Sequence, residues 1–267
     1  MHINKPYTLG SLSGVILLIA LVLASFLNVL ADERQTEGQQ TEDRITVYGT
    51  AWGLTLSEDG TGLYNAIFNI VTRELDSTLD YSILPHKRAI ATFSKDKESC
   101  IYPFSPNLVK SHYNQAPSNY LHGPTLNKVA AYFFSQYGEE PVNKFSDFSG
   151  KRIAVPIGSN MPKVWADRNI TFISASDETS KARMLISKRV DYVSGTIPDI
   201  AIVFKQLGMQ LPPYDASTPN VAASLTIVCK NTPNNQKFLD ELNSHFHAHA
   251  KNELNLLFTV QGLPLLK

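Results

Sequence analysis

Phe145-Ser-Asp-Phe-Ser-Gly-Lys-Arg-Ile-Ala-Val-Pro-Ile-Gly-Ser159 opens as a turn rich in Ser, Asp and Gly. It continues as a short apolar strand from Arg152 to Pro156 and ends in a Gly-Ser that starts a helix. A strand running into a helix start leaves free backbone N–H groups and the positive end of a helix dipole above the strand. Such a point holds an anionic or polar small molecule, which makes Gly158, Ser159 and Asn160 the first candidate ligand contacts. The same residues also serve as an ordinary helix N-cap, and the two roles are compatible.

Outward from this unit, strands and helices alternate, the mark of layered α/β structure. Ile45 to Tyr48 predicts a first strand, and Gly60-Thr-Gly62 leads into a helix with Leu63, Ile67, Ile70, Val71 and Leu75 on one face. Leu79, Tyr81 and Ile83 alternate as a second strand, Pro85 breaks it, and a helix from Lys87 to Ser94 precedes a buried strand at residues 99–102. Residues 128–135, 170–173, 191–194 and 224–229 predict further strands. Glu178 to Lys188 and Pro198 to Leu207 predict helices, the latter with Pro at its first position, and one or two closing helices follow from Asn234.

The N-terminus reads as a sorting signal: Lys5, an apolar run from Val15 to Leu27, and Val29-Leu30-Ala31 as a cleavage site. The alternative is an uncleaved anchor, because the run approaches spanning length. Residues 1–31 are thus expected to be removed, and the polar residues 32–43 to form a disordered lead-in. Charge is balanced at 24 basic and 24 acidic residues, which gives no footprint for a nucleic-acid partner. No second run reaches spanning length, so a soluble mature protein is expected. Of the two cysteines, Cys100 and Cys229, each sits in an apolar strand-like run where buried free thiols are common. Export makes a bridge chemically accessible, but two free thiols are the favoured expectation.

Three segments together resemble the periplasmic solute-binding proteins of family 3, the type II class. Leu84-Pro-His-Lys-Arg-Ala89 resembles the Pro-x-Lys-Arg-Ala segment of one branch, and Phe148 to Ser159 resembles the Gly-Lys, strand, Gly-Ser/Thr unit. Arg189-Val-Asp-Tyr-Val-Ser194 resembles the Gly-x-x-Asp-Ala strand. The resemblance implies an α/β, two-lobed type II periplasmic-binding-protein fold, each lobe a mostly parallel sheet flanked by helices. It implies lobe 1 at residues 44–123 plus 231–267, lobe 2 at 124–230, a two-strand hinge and a ligand in the cleft. Two departures bear on the ligand. Amino-acid-binding members carry a Thr-x-x-Arg segment that clamps the ligand carboxylate, whereas Ser105 to His112 here has no Arg. They also place an Asp five residues after the strand Asp, for the ligand ammonium, and five residues beyond Asp191 stands Thr196. An ordinary α-amino acid is therefore a poor fit.

The resemblance places Trp52 as an aromatic platform over the ligand, with core packing as the alternative. Arg88 is a candidate anion partner in place of the missing Arg, against ordinary surface pairing. Tyr102 follows the third strand near the same cleft or simply completes that strand. Thr196 and Asp199 flank Pro198, where helix capping is an equally ordinary role. His245, His249 and Glu253 share a helical stripe with metal-ligand spacing, yet a solvated helix face explains them as well. Neither a G-x-S-x-G elbow, a Walker-A loop nor a C-x-x-C occurs. The reading is an exported periplasmic monomer that captures a small polar or anionic molecule for a membrane permease or receptor, without chemistry, cofactor or metal. Its rivals are a sensory or interaction module without a solute, and an enzyme built on His86, Asp199 and Ser159.

Overall fold

Ile45 and Val47 turn their side chains to one side of the first strand, β1 (Arg44–Ala51), and are buried there, as period-2 alternation requires. This is a computed structural model, and it describes residues 44–107, 117–142 and 144–263. The expected leader and lead-in lie outside the described residues, as do residues 108–112 of the segment lacking Arg. Helix α1 (Leu63–Thr72) lays Tyr64, Ile67, Ile70 and Val71 against β1. It starts at Gly62 because the Thr55 carbonyl lies where a Cβ would stand. Strand β2 (Thr78–Pro85) brings Tyr81 face to face with Phe68, ring centroids 3.9 Å apart. Helix α2 (His86–Lys95) buries Ala89 and Phe93 and leaves Lys87 and Arg88 exposed. Strand β3 (Cys100–Phe104) pairs parallel with β1, and the short β4 (Tyr120–His122) follows.

The second sheet begins at β5 (Asn127–Ser135) and contains β6 (Arg152–Pro156), β7 (Thr171–Ala175) and β8 (Tyr192–Ile197). Its helices are α3 (Met161–Val164), α4 (Glu178–Ile186) and α5 (Asp199–Gln206). The chain then returns through β9 (Val221–Lys230) to α6 (Pro233–His245), a π-helical turn at Phe246–Ala250, and α7 (Lys251–Gln261). The strand order is β2-β1-β3-β9-β5-β8-β6-β7, with β4 also beside β9.

Strand β9 joins the two lobes. Its residues 221–225 pair with β5, and its residues 226–230 pair with β3 and β4. The strand expected wholly in the second lobe therefore has its last half in the first sheet. Alongside it, Gly123 and Leu126 donate backbone hydrogen bonds to Ile227 and Leu225, so two antiparallel segments make the crossing. Pairing is parallel away from this crossing (β1/β3, β6/β7, β6/β8) and antiparallel at it. Each lobe has its own core, one around Val47, Ile67, Leu242 and Phe258, the other around Phe134, Leu185, Val193 and Phe204.

Two expectations need correction. Cys100 and Cys229 form a disulfide rather than two free thiols. They face each other across β3 and β9, next to the pair in which Lys230 N–H donates to the Ser99 carbonyl. Theirs is thus a non-hydrogen-bonded antiparallel pair, the kind that brings Cα atoms closest. Register, which composition does not reveal, made the bridge. The Gly-Ser unit opens no sustained helix either. α3 has four residues, because Trp165 turns into a cluster with Phe133, Phe148 and Phe172, and Asn169 takes a left-handed conformation to enter β7.

Candidate functional site

The parallel strands β1, β3 and β8 all end at the same cleft, where ligands of open α/β sheets collect. Thr50 and Trp52 come from the end of β1 and the turn after it, and Phe104 and Ser105 from the end of β3. Across the cleft, Thr196 ends β8 and Asp199 begins α5. Val129 and Leu225, on the crossing strands, form the floor. Together with Tyr64, His86 and Pro103 they enclose a cavity of about 190 Å³. Wider hollows of about 480 and 430 Å³ are lined by other residues, with none from the carboxyl ends of β1, β3 or β8.

Asp199 organises this cavity. The Thr55 hydroxyl donates to its Oδ1 at 2.7 Å, and the Tyr64 hydroxyl donates to its Oδ2 at 3.0 Å. All three residues are at most 2% exposed. The donors belong to the first lobe and the acceptor to the second, so these bonds clasp the lobes together. A second network lies on α4. Lys181 Nζ donates to Glu178 Oε1 at 2.6 Å and to the Ser194 carbonyl at 2.7 Å, and Thr196 N–H donates to Glu178 Oε1 at 3.2 Å. Lys181 also lies 5.8 Å from the Trp52 ring centroid, a further contact across the cleft. Among the described residues, Glu178 Oε2 and Ser105 Oγ are buried without a hydrogen-bond partner.

Burial disfavours the charged form of both carboxylates. It raises Asp199 above its ordinary value, with the Thr55 and Tyr64 hydrogen bonds and Lys181 pulling partly back. Burial pushes Glu178 from 4.5 up to about 7, Lys181 opposing and Asp199 adding to the rise. The folded chain then binds more protons than the unfolded chain between about pH 4.5 and 7, so stability falls as pH rises through that window. Below it the Glu178 contribution is fully present, and above about 7 it is gone. The partly exposed Asp96 and Asp191 act oppositely: their values are depressed, by hydrogen bonds from backbone and from Tyr48 or Arg152, and the stability they add is lost in acid. Urea midpoints are accordingly expected to peak on the mildly acidic side and to fall toward pH 8, the unfolding free energy dropping by up to about 3 kcal/mol. Glu178→Gln should flatten that drop; an equally steep drop in the variant would place its origin elsewhere.

Of the residues predicted from sequence, Trp52 and Thr196 line the cavity. Arg88 is exposed on α2 and does not. Tyr102 is in the core, its hydroxyl donating to the Tyr64 carbonyl at 2.9 Å, so it completes its strand. Gly158, Ser159 and Asn160 form the turn after β6, where Ser159 Oγ accepts from Met161 N–H and Asn160 stands at the N-cap without a side-chain cap bond; none of the three lines this cavity. Ser159 is thereby separated from His86 and Asp199. On the closing helices Glu253 is held by both terminal nitrogens of Arg73, and the described residues contain no cluster of three or more metal-ligating side chains. Asp199 was legible as a capping candidate and as a member of the rival enzyme set with His86 and Ser159, although its place just past a strand's carboxyl end was the available signal. Thr55, Glu178 and Lys181 carried none.

No protein-family model and no curated protein matches the chain. Its fold is nevertheless shared with solved structures. The GluR0 ligand-binding core from Nostoc punctiforme in complex with L-glutamate is 12% identical, with a TM-score of 0.66 over 82% of this chain and all of that one. An ancestral arginine-binding protein bound to arginine is 13% identical, TM-score 0.62, over 82% of this chain and 97% of that one. An ancestral amino acid-binding protein, a precursor of cyclohexadienyl dehydratase, is 11% identical, TM-score 0.62, over 84% and 97%. At such identities the likeness is one of fold: the chain has the two-lobed architecture of these binding proteins.

Proposed function

We propose that the protein is an exported, periplasmic solute-binding protein that holds a small polar molecule between its lobes and presents it to a membrane permease or receptor. The observation that carries this is the cavity: it lies at the ends of parallel strands, draws its lining from both lobes and is floored by the crossing strands. Residues 44–123 with 231–267 act as one lobe and 124–225 as the other, the hinge lying where β9 passes between sheets and carries residues 226–230 into the first. Closing such a cleft excludes water and strengthens every polar contact inside it. The solved relatives of this fold include proteins bound to glutamate and to arginine, which supports a solute role. No helix of the described residues is long and apolar enough to cross a membrane. Among the described residues no Lys or Arg lines the cavity and its one carboxylate is Asp199, so the anionic half of the sequence expectation loses its support, and the capture of a small polar molecule remains.

The test is a calorimetric and thermal-shift screen of the chain from residue 32 against amino acids, organic acids, amines, sugars and aromatic metabolites. Saturable binding by one class is expected, with the midpoint rising as the logarithm of ligand concentration once the site saturates. A cleanly folded protein that no class shifts would favour the sensory-module reading. Consumption of a bound compound would make it an enzyme.

A further inference from the structure

We infer that the ligand is a small organic amine that lacks a carboxylate, its ammonium held by Asp199 and its apolar body against Trp52 and Phe104. This rests on the cavity being a solute site, and it follows from charge, unused hydrogen-bonding capacity and size.

Asp199 is the only carboxylate among the described residues lining the cavity, which no Lys or Arg lines and to which His86 adds one imidazole. The neighbouring charges do not balance it. Lys181 is occupied by Glu178 at 2.6 Å and by the Ser194 carbonyl, so the buried cluster sets one ammonium against two carboxylates. An entering anion would meet the surplus carboxylate in a desolvated site, where like-charge contact is most costly. An entering ammonium would neutralise it. A zwitterion would satisfy Asp199 but bring a second carboxylate to walls that offer it hydroxyls and one imidazole and no Lys or Arg.

Asp199 has capacity for such a partner. A carboxylate offers about four acceptor positions, and Thr55 and Tyr64 occupy one on each oxygen. The ammonium would complete a three-donor shell around it. Trp52 supplies a ring face suited to a cation and its adjoining methylenes, and Phe104, Val129 and Leu225 provide the apolar remainder. Ser105 Oγ, fully buried on the cavity wall and without a partner among the described residues, can meet one neutral polar group of the ligand. At about 190 Å³ the cavity is smaller than ordinary ligand pockets, which begin near ~300 Å³. That size suits a monoamine with one short chain or one ring.

The groups around Asp199 are Thr55, Tyr64 on α1, Lys181 and Glu178 on α4, and His86 at the start of α2 on the same cavity wall, whose neutral form an ammonium likewise favours. A cation beside them favours the ionised form of both carboxylates. Binding should therefore release protons and tighten as pH rises from about 5 to 8, as linkage requires.

The experiment is titration calorimetry of the chain from residue 32 with matched compounds: 2-phenylethylamine, phenylalanine, 3-phenylpropionate and the neutral 2-phenylethanol. The aliphatic set of isoamylamine, leucine and 4-methylpentanoate covers a cavity too narrow for a ring. The amine of at least one set is expected to bind at least tenfold more tightly than its amino acid and its acid, and to release protons when two buffers of different ionisation enthalpy are compared. Asp199→Asn should weaken the amine tenfold or more relative to the alcohol, whatever the variant does to the alcohol itself. If that variant does not fold, the ranking on the unaltered protein decides alone. Tighter binding of the amino acid or the acid would overturn the amine inference and leave the solute-binding reading intact. So would silence of both sets beside saturable binding of a sugar or another class. Silence of every class would remove the solute-binding reading itself.

Discussion

Refolding the chain with the Cys100–Cys229 bridge reduced is expected to lower its thermal midpoint by roughly 5–15 °C. The bridge spans a sequence separation of 129, and a closed loop of that length removes several kcal/mol of unfolded-chain entropy in the simplest model. Measured bridges more often contribute about 2–4 kcal/mol, and a protein of this size moves its midpoint by about 2–4 °C for each. The position adds a local reason. Cys229 sits on the half of β9 that belongs to the first sheet, and that strand continues into the second. Tying β3 to β9 therefore holds one of the two segments on which the lobes are hung. Both cysteines are fully buried, so the bond is to be reduced in denaturant before refolding and compared with the oxidised chain by circular dichroism. Ligand affinity should not change, because neither cysteine lines the cavity. Equal midpoints for the two forms would show that the bridge adds nothing.

Replacing Lys181 by Met is the second large effect. Lys181 is completely buried, and Glu178, beside it, is 2% exposed. Removing one partner of such a pair leaves the other charge uncompensated, a loss of about 3–5 kcal/mol. Lys181→Met should therefore shift the urea midpoint strongly with little change in slope. The double change Lys181→Met with Glu178→Gln should recover much of the loss, since the surviving group is then neutral. Acid distinguishes charge from packing: near pH 5 Glu178 is largely protonated in the folded chain, and the penalty of Lys181→Met should shrink there. A loss independent of pH and of Glu178 would mean that the Lys181 stem acts only by filling space.

Alternation of Ile45, Val47 and their successors, the apolar stripe of α1 and Pro198 at the entry to α5 were legible because they are local facts, set within a few residues by pleat, turn and cap. The α/β class and most element positions follow from them. α3 was misjudged because its length is decided by Trp165 packing into Phe133 and Phe148 rather than by its own turn. At the cavity, Trp52 was reached through the family resemblance and Thr196 by its spacing from Asp191, whereas Arg88 depended on which face of α2 meets the core.

The amino-acid sequence by itself determined that this chain alternates strands and helices into a layered α/β protein, since periodicity and breakers act over one or two turns of chain. Only the tertiary structure decided that Thr55 and Tyr64 meet Asp199 from 144 and 135 residues away. It alone decided that register sets Cys100 against Cys229, and that Arg88 and Gly158 lie outside the cavity. Those outcomes depend on how two sheets share one strand, a long-range pairing that no local pattern encodes.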